Sequence, residues 1–175
     1  MDELKELDLA IFFSDAVEPP LKFDQQDKNL ADYHDLENMP RVDFVVELDR
    51  DIYFIELKDT NRPDAADPGG ATFMKKIASG KVEQSLAEKY LYTFFFRWAE
   101  GKLNKHIHYV CLITLEDPMV NILADDLAKT LRHLRTPSER WSRKPLASCQ
   151  VHSLQSWKEA FPQWPVRRLS DAAMQ

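Results

Sequence analysis

The chain predicts an α/β fold: one domain with a mixed β-sheet flanked by helices. Three observations carry this. Its 175 residues, 44% hydrophobic and 30% charged, suit one soluble core without disulfides or structural metals. Two β-rich runs, "VDFVVEL" and "DIYFIELK", follow each other closely. Beyond them helical periods alternate with strand-like runs, which places helical crossovers after an initial hairpin. No internal repeat, low-complexity tract or linker divides residues 1–175, so they are read as a single domain.

Taken in order, "DELKELDLAIFFSD" spaces Leu4, Leu7, Ile11 and Phe12 as a helix would, ending before Pro19-Pro20. Residues 21–40 are polar and read as loop, or as a weak helix near "DKNLADYHDLEN". The two β-rich runs turn about Asp49-Arg50-Asp51, a hairpin signal without glycine. "DTNRPDAADPGGAT" is rich in breakers and reads as loop. From Phe73 to about Glu100 a long helix is expected, bent at Gly80, with Leu86, Tyr90, Phe94 and Trp98 on one face. "HIHYVCLITL" (106–115) reads as a strand, Asn121–Arg135 as an amphipathic helix, "LASCQVHSL" (146–154) as a strand and "LQSWKEAF" (154–161) as a short helix.

Several classes fall away. No apolar run approaches the roughly 20 residues of a membrane span, and "MDELKELD" lacks the basic start of a signal peptide. The protein is therefore expected in the cytoplasm, without a membrane partner. Cys111 and Cys149 lie among apolar or strand-like neighbours and read as reduced, buried thiols, and no CxxC pair suggests zinc. Gly69-Gly70 lacks a phosphate-loop lysine, and no serine has a nucleophile-elbow context. His106 and His108 share a strand face without a third ligand, which suits a strand surface better than a metal site.

The net charge of −6 conceals two halves. Residues 1–67 carry seven Lys and Arg against nineteen Asp and Glu, and the remainder is net positive. "KTLRHLRTPSERWSRK" (129–144) holds Lys129, Arg132, Arg135, Arg140, Arg143 and Lys144 against Glu139 alone. That segment reads equally as a solvated helix face and loop or as a phosphate-binding, nucleic-acid-facing surface.

The hairpin raises the functional question, because Asp43, Glu56 and Lys58 interrupt strongly apolar runs. Glu56 and Lys58, two apart on one strand, leave the same face about 7 Å apart. A tight turn near residue 50 makes paired indices sum to roughly 100, placing residue 43 opposite about residue 57. Asp43 and Glu56 offer the hard oxygen ligands that Mg²⁺ prefers, with open positions for water and a phosphate oxygen. Lys58 can orient or help deprotonate an attacking water and offset charge developing on phosphorus. The bland alternative is an Asp43–Lys58 salt bridge on an exposed hairpin face.

With those residues in place, "PRVDFVVELDRDIYFIELKD" resembles the signature of the PD-(D/E)XK nuclease superfamily, in which an Asp on one core strand precedes Glu/Asp-x-Lys on the next. Pro40 stands three residues before Asp43. The resemblance implies a restriction endonuclease-like core: a helix, three strands, a helix and a further strand. No convincing strand precedes residue 42, unless residues 21–40 supply it. The resemblance further implies phosphodiester hydrolysis, of DNA rather than RNA, with Mg²⁺ or Mn²⁺ held by Asp43 and Glu56, and with Glu6 on the first helix as a further ligand. Lys81, Gln84 and Glu88 form a polar stripe on the long helix; Gln84 resembles the helix glutamine of the exonuclease-like branch, although Glu88 replaces the tyrosine expected four residues on. On this reading Gln84 joins the catalytic group and Lys81 contacts nucleic acid. The aromatic run "YLYTFFFRW" (90–98) is explained by a helix buried on most sides, or by a homodimer surface, better than by a base-stacking platform. Two other readings stay open: a non-catalytic binding module on the same fold, and an unrelated α/β protein whose charged patch is structural.

Overall fold

The computed structural model describes residues 2–30, 33, 38–60, 71–136 and 138–172. Among them run the strands β1 (Asp2–Glu6), β2 (Leu9–Phe13), β3 (Leu21–Lys22), β4 (Phe44–Glu47), β5 (Asp51–Lys58), β6 (His106–Ile113), β7 (Ser148–His152) and β8 (Val166–Arg168). The helices are α1 (Ala71–Ala78), α2 (Lys81–Ala99), α3 (Asp117–Thr130), α4 (Arg132–Arg135), α5 (Leu154–Ala160) and α6 (Leu169–Ala172).

A five-stranded mixed sheet ordered β3-β4-β5-β6-β7 forms the centre, antiparallel through β3, β4 and β5 and parallel from β5 to β7. Both faces are covered, which is why β5 and β6 can be apolar almost throughout. Along β5, Ile52 and Phe54 enter a core shared with Ile77, Leu86, Tyr90, Leu123 and Leu127 of the helices. Ile55 and Leu57 enter a second core with Leu9, Ile11, Trp157, Phe161 and Trp164. Glu56 and Lys58 continue the first alternation, so they belong to the helix-covered face of the sheet.

The expected N-terminal helix is instead the antiparallel hairpin β1–β2. Leu9, Ala10 and Ile11 are all fully buried, and β2 is flanked by β1 and β8 in a second, three-stranded sheet. A one-sided helix cannot bury three successive residues, whereas a strand with covered faces can. Leu7 makes the turn at φ 55°, a conformation that a leucine seldom adopts. Anchors from far along the chain hold that turn: Leu169 N donates to Asp8 O (2.9 Å), and Ser170 donates to the Asp8 carboxylate from its amide (2.9 Å) and its hydroxyl (2.7 Å).

The strand missing ahead of residue 42 is Leu21–Lys22, paired with Val45 and Phe44. The expected long helix breaks into α1 and α2 at Gly80, which sits at φ 75°. The helix read from residue 121 begins four residues earlier, at Asp117, with Pro118 in its first turn. Strand β8 and helix α6 are short and carry no period that a sequence could reveal. Half of the weak-helix alternative at 27–38 and most of the breaker-rich loop lie outside the described residues. Both cysteines are free, Cys111 buried and Cys149 partly so. Among the described residues no helix is long and apolar enough to cross a membrane.

Candidate metal centre

The hairpin register delivers the expected cluster, one residue displaced. Phe44 pairs with Ile55, so the ladder runs on to bring Asp43 beside Glu56 rather than Leu57. Asp43 lies just before β4 and is pinned from three sides. Its carboxylate accepts from Leu57 N (2.6 Å), its carbonyl accepts from Phe23 N (2.7 Å), and the preceding Val42 N donates to Thr93 Oγ1 of α2 (3.1 Å). Glu56 is wholly buried under α2, and Asp43 is 3% exposed.

Lys58 Nζ meets Glu56 Oε1 at 2.7 Å. The helix contributes Lys89, whose ammonium lies 2.6 Å from Glu56 Oε1 and 3.6 Å from Asp43 Oδ1. The simple Asp43–Lys58 salt bridge on an exposed face is therefore not what forms: the group is buried and Lys58 pairs with Glu56. Beside it stand Glu6 at the end of β1 and Asp24 just after β3. Glu6, Asp24 and Asp43 each offer a carboxylate oxygen within 4.8 Å of the others. Lys22 bridges the outer two, at 2.6 Å from Glu6 Oε2 and 3.1 Å from Asp24 Oδ1. Glu6 thus reaches the site as expected, but from a strand rather than a helix.

Four carboxyl groups here face three ammonium groups, and the imbalance falls on Asp43. Burial, followed by the charge of Glu56, pushes its pKa well above the usual carboxylate range, against the opposing pull of Lys89, the Leu57 amide and Lys58. Burial by itself would lower the pKa of Lys58. The Glu56 carboxylate, by charge and hydrogen bond, and then Asp43 outweigh it and raise that pKa. The Lys58 ammonium accordingly keeps its proton and suits orienting and charge-stabilising work rather than proton abstraction.

Glu6, Asp24 and Asp43 lie close enough together to hold a divalent cation, with Glu56 beside Asp43. All four carboxylates are hard oxygen ligands. Glu56 Oε2 is buried with no hydrogen-bond partner among the described residues, an orphan that a cation would satisfy. Added positive charge also corrects the local excess of acid.

The other residues singled out by sequence lie elsewhere. Gln84 and Lys81 are exposed, and the Gln84 amide turns to Glu88 (3.5 Å), so the polar stripe on α2 faces solvent. Lys89, one position past that stripe, is the helix residue that enters. His108 is held structurally, Nε2 against Asp51 Oδ1 (3.0 Å) and Nδ1 against Ser148 Oγ (2.7 Å), stacked on Tyr53. Arg132, Arg135, Arg140, Arg143 and Lys144 are exposed. The last three line a groove with Ile107, which pairs with Ile52, four residues or roughly 13 Å along the strand from Glu56.

Lys22, Asp24 and Lys89 were not legible as site residues. One signal existed: Lys22-Phe23-Asp24 sets two charges around a buried aromatic, as Glu56-Leu57-Lys58 does around a buried leucine. Comparison of the chain with protein-family models, with curated proteins and with solved structures finds no match.

Proposed function

We propose that the protein is a divalent-metal-dependent nuclease that hydrolyses phosphodiester bonds of DNA on a restriction endonuclease-like PD-(D/E)XK core. The observation that carries this reading is the buried convergence of Asp43, Glu56 and Lys58, joined by Glu6 and Asp24, beside the end of β5. The antiparallel β3–β4–β5 meander followed by a helical crossover to parallel β6 supports it.

Asp43 and Glu56 would hold Mg²⁺ or Mn²⁺, with Glu6 and Asp24 on its outer side. When bound, the ion supplies Lewis acidity and a water of lowered pKa. Lys58, one-third exposed (33%) and fixed by Glu56, would orient an attacking water and offset charge growing on the phosphate oxygens. Its raised pKa suits it to that role better than to acting as the base. Lys89, paired with both Asp43 and Glu56, would have to release them for these carboxylates to hold a cation.

A second reading has its own support. The Lys89 ammonium already pairs with one oxygen of each carboxylate, which suits a non-catalytic binding module of the same fold. One experiment separates the two. Linear, circular and single-stranded DNA and RNA are incubated with wild type, Glu56→Ala and Lys58→Ala in Mg²⁺, Mn²⁺ or EDTA. Metal-dependent cleavage lost in both variants supports the nuclease. Calorimetry showing no divalent-metal binding would sink it.

A further inference from the structure

Along another face of the C-terminal half of α2 lies a groove of about 690 Å³ whose chemistry differs from that of the candidate metal centre. Leu91, Phe94 and Leu134 contribute to its apolar lining. Trp98 and Trp141 line it as well, and they are 63% and 47% exposed. Arg140, Arg143 and Lys144 stand around them. Lys105 also lines the groove but is already paired with Glu47 (3.2 Å). Among the described residues no carboxylate lines the groove, although the chain as a whole carries −6.

Those facts constrain the occupant. A second copy docking through a two-fold axis would set this patch against itself, bringing unbalanced cations face to face. The ligand must instead be anionic and carry flat apolar groups for the two indoles. A nucleic-acid strand with free base faces meets both requirements. A duplex does not, because its bases are stacked on one another.

We propose that this groove is a binding site for single-stranded nucleic acid, with bases stacked on Trp98 and Trp141 and phosphates held by Arg140, Arg143 and Lys144. This deepens the nuclease reading and rests on it only for the identity of the strand as substrate. The exposed part of the α2 aromatic run is then a stacking platform, a role the sequence pattern argues against.

The test uses the full chain in EDTA, where no cleavage intervenes, and a fluorescein-labelled 20-nucleotide dT strand. Anisotropy and quenching of tryptophan fluorescence report binding. The strand is expected to bind at least about tenfold more tightly than an abasic strand of equal length or a duplex, because stacking contributes about 1–3 kcal/mol per base. Trp98→Ala and Trp141→Ala should each weaken it about tenfold with unchanged circular dichroism, as expected for exposed side chains. Arg140→Glu with Lys144→Glu should lower the salt dependence by about two phosphate contacts. Equal affinity for the abasic strand, or indifference to both tryptophan variants, overturns the proposal. So does the absence of strand binding, whether sedimentation shows a dimer that Trp98→Ala dissociates or an acidic, aromatic peptide binds instead. Strand binding without Mg²⁺-dependent cleavage would overturn the nuclease reading and leave the groove standing; cleavage with no groove binding would do the reverse.

Discussion

Two faces of helix α2 pose opposite electrostatic problems. Around Lys89, buried carboxylates outnumber the ammonium groups that face them, and one acid is pushed towards its protonated form. Along Leu91, Phe94 and Trp98, cations and indoles stand in solvent, and among the described residues no carboxylate lines the groove. Buried charge is costly and must be matched at close range, so the first face is held in close ion pairs. Exposed charge costs little, so the second face can carry cations without paired acids. One helix carries both because Lys89 turns in to Glu56 while Leu91, Phe95 and Trp98 point outward.

The largest expected effect separates these two faces outright. Glu56→Gln should lower Mg²⁺-dependent cleavage by roughly 10³-fold, the scale of several kcal/mol of metal-assisted stabilisation, with strand binding in EDTA unaltered. Loss of both together would collapse the distinction. Lys58→Met should follow at roughly 10²-fold in rate, the scale of losing one preorganised charged donor, with calorimetric Mg²⁺ affinity retained.

A stability measurement sharpens the electrostatic side. Asp43 has a folded-state pKa raised above its unfolded value of about 3.9. The folded protein then binds the extra proton, so stability falls as pH rises from about 4 through the raised pKa. Asp43→Asn should therefore melt higher than wild type in EDTA at pH 7, converge with it below pH 4, and lose the stabilisation that Mg²⁺ gives wild type. A variant less stable than wild type at pH 7 would contradict the charge imbalance. The smallest effect belongs to Gln84→Ala and Lys81→Ala, both in solvent, which should leave cleavage within about twofold.

The sequence exposes what is encoded locally. The β4–β5 hairpin, the parallel strand β6 and the Asp43–Glu56–Lys58 convergence follow from alternation and a short turn, with the register off by one residue. The N-terminal hairpin was hidden for a physical reason. Leu4, Leu7 and Ile11 satisfy a helical period, and the turn that breaks it is fixed by Leu169 and Ser170 rather than by glycine or asparagine. Lys89 was hidden because a lysine on a long helix ordinarily faces water. Its placement depends on where α2 crosses β5, which no local pattern records.

The pairing of Leu9 with Arg168 also bears on the order of folding. The β4–β5 hairpin closes across a few residues and forms early and cheaply in chain entropy, whereas the β1–β2 turn beside Glu6 is anchored by Leu169 and Ser170, some 160 positions away. Refolding should therefore restore most of the sheet signal before it brings Glu6 beside Asp24 and Asp43, making the acidic cluster the last part of the molecule to mature.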